Sequence, residues 1–240
     1  MQLFGIITYF FELMPFILCS IFLKRITATK EGKAFFYYAI LYSAIILLVL
    51  FFRYYLDNRN VTALLKRAAI VIEFSLLCHY YTQILVNPKI KKILPVAGIL
   101  FFIVACYDYY ISVERVISFM PLVVESLFLI LLIVYFFYEK VQFSLLTPIY
   151  LSMSFWISTG FLIYFSGNFF LFLLSKTAVK DKQFVTQYNL VYNFFTIIKD
   201  VLLCIAVTVH NPLKPQNDNI NIQPDLSSSL TPFAVDKKSN

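Results

Sequence analysis

Glu12, Glu73 and Glu125 stand inside long apolar stretches of the chain, where a charged group costs at least ~2.5–3.5 kcal/mol at mid-bilayer. A carboxyl kept at that cost usually faces a bundle interior or an aqueous cavity, where it can carry a proton, hold a cation or accept hydrogen bonds. Further along, Asn189, Asn193, Thr196 and Asp200 recur at spacings of four, three and four, which predicts one narrow helical stripe with Lys199 on its flank. Asp108 and Asn168, near the ends of two other apolar stretches, are expected to border the same cavity, beside Tyr107, Tyr109 and Tyr110.

These residues predict a polar pocket at or just beneath the outer surface. Glu73, Glu125, Asp200, Asn189, Asn193, Asp108 and Asn168 would be its ligand or proton contacts, with Lys199 as counter-charge. Lys66, seven residues before Glu73 and on its face, is expected to pair with the carboxylates, with Arg53 and Arg67 near the same end. The competing reading is that the polar groups only join helices, at about 0.6 kcal/mol per bond. Both readings stand at this level.

Other chemistries find little footing. His79 and His210 have no ligand-spaced partner, and Cys19, Cys78, Cys106 and Cys204 make no CxxC, so no metal site is expected and the cysteines read as free thiols. The 5 glycines form no phosphate-binding loop, Gly-x-Ser-x-Gly is absent, and no cofactor is implied.

The elements that position these residues follow from composition. With 60% hydrophobic and 14% charged residues among 240, the chain is far too apolar for a soluble domain, so the fold class is an all-α polytopic transmembrane bundle. The net charge of +7 comes from Lys and Arg clustered in short loops, which is topology rather than nucleic-acid binding. Seven spans are expected, at 3–23, 34–56, 64–85, 93–113, 117–138, 148–175 and 187–210. Six remain an alternative, because only Asp57 to Asn60 separates the second from the third. The first lacks a basic region ahead of it and a small-residue cleavage site, so it is expected to be retained.

Residues 1–210 thus form the bundle, and 211–240, with four prolines and balanced charge, are expected to be a disordered tail. Basic residues near span ends divide nine to eight between the two sides. The first span has no basic residue before it and four just after it, which favours an outer N-terminus and a cytoplasmic C-terminus in the inner membrane.

The stretch 148–176 is the polar exception among the spans. Ser152, Thr159 and Ser166 fall on one helical line, with Gly160, Tyr164 and Gly167 beside it. Small residues permit close backbone approach and hydroxyls bond across a contact, so this span is expected inside the bundle.

Within it, Phe155, Trp156, Ile157, Gly160, the run LIYFSGN at 162–168 and FLF at 170–172 resemble a segment of uncharacterised bacterial seven-span membrane proteins. That family is similar to the membrane sensor portions of histidine kinases and occurs alongside two-component systems. Glu125 and Ser126, followed by YFFY at 135–138, resemble the same group. The resemblance implies a seven-span sensory or accessory module, and no catalytic residue is carried over by it. The 240 residues hold no dimerisation helix, phospho-accepting His or nucleotide-binding domain after the seventh span, so output would pass to a partner such as a histidine kinase. Two alternatives stay beside this one: a small proton-coupled transporter using Glu73 and Glu125, and a lipid-modifying enzyme using Glu73, Asp108 and Glu125 as acid and base. Ligand, oligomeric state and partner are not specified by the sequence.

Overall fold

The computed structural model describes residues 2–56, 59–111, 120–143, 149–178 and 182–209. Among the described residues all regular structure is helical: α1 (Gln2–Ile21), α2 (Leu23–Ile26), α3 (Lys30–Tyr54), α4 (Arg59–Ile84), α5 (Pro88–Ile111), α6 (Met120–Phe143), α7 (Met153–Ala178) and α8 (Lys182–Val209). A 3-10 turn, Ile149–Leu151, leads into α7. Each of the seven apolar stretches carries one long helix, and the expected tail, 211–240, lies outside the described residues.

Five helices, α3, α5, α6, α7 and α8, contain segments long and apolar enough to cross a membrane, so the chain is a multi-pass membrane protein. Of the other two long helices, α1 is apolar over Gly5–Ile21 among the residues whose side chains are described. In α4, 26 residues long, Arg59, Lys66, Arg67 and Glu73 interrupt the apolar sequence.

Local chemistry fixes two of the turns. Thr29, in extended conformation, caps α3 by accepting a hydrogen bond from the Gly32 backbone N–H at 3.0 Å. Gly32 lies against the Ile26 carbonyl, where a Cβ would collide, so only glycine lets the α2–α3 corner close this tightly. Between α4 and α5, the Glu139 carboxylate on α6 accepts from the Val86 N–H at 2.7 Å and the Asn87 N–H at 2.8 Å. Asn87 then accepts from the Lys89 N–H at 3.0 Å, and Pro88 occupies the first helical position, where its missing donor is harmless.

The helices pack as a closed circuit. α1 lies against α8 and α3, α3 against α4, α6 against α7, and α7 against α8. α5 packs on α4 and more thinly on α6, and contributes only Leu94 and Phe101 to the buried core. Aromatic side chains fill the centre: Phe74 stacks on Phe101 at 4.2 Å between centroids, and Tyr38 meets Phe161 edge-on at 5.4 Å.

α7 packs inside the bundle, but not through the expected hydroxyl line. Gly160 faces α8, where an added Cβ would lie 3.3 Å from both the Leu202 Cβ and the Lys199 carbonyl oxygen. At Gly167 the Phe195 ring occupies the space, 2.5–2.6 Å from such a Cβ. The glycines therefore set the α7–α8 spacing. Thr159 and Ser166 bond back to their own helix, at the Phe155 and Leu162 carbonyls, and Ser152 bonds the Ile149 carbonyl. The interhelical hydroxyl contact is made by Ser158 instead, 3.0 Å from the Tyr81 hydroxyl on α4.

Candidate functional site

Cross-helix contacts fix which residues share a level. Phe74 on α4 meets Phe101 on α5 and Phe128 on α6, and Tyr38 on α3 reaches Glu73. Glu73 lies fourteen residues into α4, roughly 21 Å along a helix of about 39 Å, and so stands near mid-length.

A single buried layer gathers here from α1, α3, α4, α7 and α8. Lys199 is completely buried, with its Nζ 3.4 Å from Asp200 Oδ1. Three rings surround the ammonium: Tyr164 at 4.9 Å, Tyr42 at 5.0 Å and Phe161 at 5.9 Å to their centroids. Each face attracts a cation, by about 2 kcal/mol or more where water is excluded. The Tyr38 hydroxyl donates to Glu73 Oε1 at 3.2 Å. Glu12 from α1 hydrogen-bonds Tyr42 and lies within electrostatic range of Asp200, Lys199 and Glu73. Glu125, 1% exposed, interacts electrostatically with Glu73 from α6.

Satisfaction in this layer is incomplete. Lys199 Nζ, Asp200 Oδ2, Glu125 Oε1 and both side-chain polar atoms of Asn168 are buried without a hydrogen-bond partner. A cavity of about 10 Å³ adjoins it, lined by Glu12, Tyr38, Tyr42, Ser43, Asp200 and Leu203 among others. That is the lower limit for one water molecule.

The sequence-predicted residues divide. Glu73, Glu125, Lys199, Asp200 and Asn168 are all buried in the bundle, and Glu12 is 9% exposed. The stripe on α8 turns inward only from Thr196 onward: Asn193 is half-buried and Asn189 is exposed. Lys199 is the centre of the layer rather than its flank. Asp108 is half-buried on the rim helix α5, seven residues beyond Phe101, which puts it about 10 Å along the axis from the level of Glu73. Arg67, one turn and a half before Glu73, instead lies over the Tyr109 ring at 5.1 Å.

The expected pairing of Lys66 with the carboxylates falls on Glu12 rather than on Glu73. Lys66 interacts with Glu12 and Arg53, and Arg53 donates to the Tyr9 hydroxyl at 3.2 Å, nearer the helix ends. A second cation, Lys199 on α8, interacts electrostatically with Asp200, Glu73 and Glu12. Sequence reasoning missed Tyr38 and Tyr42, which look like any aromatic residue in an apolar span, and placed Tyr164 only on a packing face. It also missed a second polar group at the other end of the bundle, where Glu31 interacts with Tyr80, Ser154 and Lys140.

Among the described residues no group of three or more His, Cys, Asp or Glu is arranged to hold a metal ion. No protein-family profile, curated protein or solved structure matches the chain.

Proposed function

We propose that the protein is a non-enzymatic, seven-span sensory or accessory module of the inner membrane, with an outer N-terminus and a cytoplasmic C-terminus. The charge layer around Lys199 would be its responsive part, and a membrane signalling partner such as a histidine kinase would read the response. The observation that carries this reading is the Lys199–Asp200 pair, at 0% and 1% exposure, placed among Glu12 and Glu73 yet short of hydrogen-bond partners. Helix adhesion alone does not call for a lysine in a tyrosine cage, because a well-packed apolar set usually holds as well or better. An incompletely satisfied layer has a second arrangement within reach, and a ligand or proton that prefers one arrangement shifts the population.

The burial of Glu73 and Glu125 inside the helix bundle favours one other reading, a proton-coupled transporter. A lipid-modifying enzyme has less support, since Asp108 lies apart from Glu73 and Glu125. Capture from native membranes through a tag after Asn240, with mass spectrometry of what co-purifies, tests the main reading. A signalling kinase recovered in near-equal amount is the expected result, retained by the Glu73→Gln/Glu125→Gln double variant while its response is lost. Recovery of the chain alone, or a double variant that loses transport activity, would replace the sensory reading.

A further inference from the structure

We propose that the Lys199 layer binds protons and takes them up from one side of the membrane only, the side at which α1 and α4 begin. This deepens the reading of the charge layer as the responsive part of the protein and rests on it. Charge balance names the ligand. Glu12, Glu73 and Asp200 interact electrostatically with Lys199, and Glu125 interacts with Glu73. Even with Lys66, which meets Glu12, counted on the positive side, four carboxyls face two cations. Uncompensated charge is too costly to keep away from water, so at least two of the four carry protons when the group is neutral. Lys199 Nζ, Asp200 Oδ2 and Glu125 Oε1 are buried without hydrogen-bond partners, which leaves a donor and two acceptors free to pass a proton within the layer.

The side of entry follows from what the helices place on either side of the layer. Towards the end where α1 and α4 begin, Glu12 interacts with Lys66 and Tyr9, and the Tyr9 hydroxyl accepts from the exposed Arg53. One turn from the layer in that direction stand Thr8 on α1, Asn168 on α7 and Thr196 on α8, all buried and polar. The Tyr164 hydroxyl of the lysine cage also donates that way, to Tyr192 at 3.2 Å. Towards the other end the same step meets only hydrocarbon: Phe35 on α3, Leu77 on α4, Phe161 on α7 and Leu203 on α8, each at most 1% exposed. Glu31, on that side, stands seven residues before Tyr38, about 10 Å away along the axis. Protons move along carboxyls, hydroxyls and trapped water, not through close-packed hydrocarbon.

Glu12 is the joint between entry and layer. A proton taken up there releases Lys66 and changes the field at Asp200 and Lys199, so acidity at one membrane face resets the bundle without a current passing through it. With the N-terminus outside, that face is the external one.

The test uses the full chain, tagged after Asn240, in sealed vesicles sorted by whether the tag faces out; α8 finishes at the apolar end, so the tag marks that end. The readout is the infrared band of protonated carboxyls, taken as the part that Glu73→Gln removes. The titratable and charged groups facing the layer are Tyr9 from α1, Tyr38 and Tyr42 from α3, Lys66 and Cys78 from α4, Glu125 from α6, Tyr164 from α7, and Tyr192 and Cys204 on α8. Acid added to the outer solution should raise the band promptly where the tag faces in, and only after a protonophore is added where it faces out. Glu12→Gln, close in shape and neutral, should slow the prompt response several-fold. Leu77→Asn, which sets an amide among the apolar side chains, should make tag-out vesicles respond promptly as well; if it does not fold, Glu12→Gln decides. Equal responses in the two orientations, no band lost in Glu73→Gln, an unchanged rate in Glu12→Gln or a folded Leu77→Asn that stays one-sided would overturn the proposal. Protons crossing through the unaltered chain, read by a pH dye inside the vesicles, would overturn it in favour of the transporter. Proton entry is read on this chain alone and the partner by capture, so either can fail without the other.

Discussion

Two buried carboxylate sites in this bundle solve the same electrostatic problem in opposite ways. At the α4–α5 turn, Glu139 is 4% exposed and each of its oxygens takes a backbone N–H, at 2.7 and 2.8 Å. In the Lys199 layer, three carboxyl residues, Glu12, Glu73 and Asp200, share one ammonium, and Asp200 Oδ2, Lys199 Nζ and the neighbouring Glu125 Oε1 go without hydrogen bonds. The first is a finished joint, with geometry set by two charge-assisted bonds to main chain that cannot move away. The second keeps unused donors and acceptors in low dielectric, where they cost most. The turn is built for permanence and the layer for exchange.

Mutation should separate the two, most strongly at the layer. Lys199→Met removes the cation from among the carboxylates and is expected to cost about 3–5 kcal/mol, measured as loss of resistance to denaturant in detergent. Adding Asp200→Leu should recover much of that loss, because an apolar pair of similar volume replaces an uncompensated charge. If the double variant is no more stable than the single one, the layer is structural in the way the turn is. Next in size, Glu139→Gln should cost about 1.5–3 kcal/mol, the range for hydrogen bonds to a charged group. Its signature is local: faster amide exchange at Val86 and Asn87, with the remainder of the bundle unchanged. Smallest of all, Ser158→Ala should cost about 0.6 kcal/mol, the usual value of an interhelical bond in a bilayer, and a loss several times larger would show that Tyr81 depends on it.

The difference also explains what was legible in the chain. Glu73, Glu125, Lys199 and Asp200 stood out because a charge inside an apolar run has few places to go but inward. Glu139 did not, since a carboxylate at a span end reads as interfacial, and only its turn partners, fifty-odd residues upstream in sequence, show otherwise. Asn189 misled for the same reason in reverse: near a helix end, polarity is satisfied by water, so a spacing that continues the stripe of Thr196 and Asp200 carries no information about burial. The seven long helices followed from hydropathy and length. Which of them sits at the rim did not, because α5 and α6 are both apolar enough to cross a membrane, and only the packing shows that α5 gives the core no more than Leu94 and Phe101.

The hydroxyls that bond to their own helix bear on how such a chain enters a bilayer. Ser20, Ser75, Ser126, Thr159, Ser166 and Thr196 each donate to the carbonyl four residues earlier. Such a group is already satisfied when its helix stands alone in lipid, so these six do not delay insertion or demand a neighbour. Glu12 and Glu73 have no such local shelter, and Lys199 has within its own helix only the neighbouring Asp200. Assembly therefore divides into independent entry of the helices and a later step in which α8 brings its lysine to the carboxylates of α1 and α4, and that meeting is the point at which the bundle becomes one molecule.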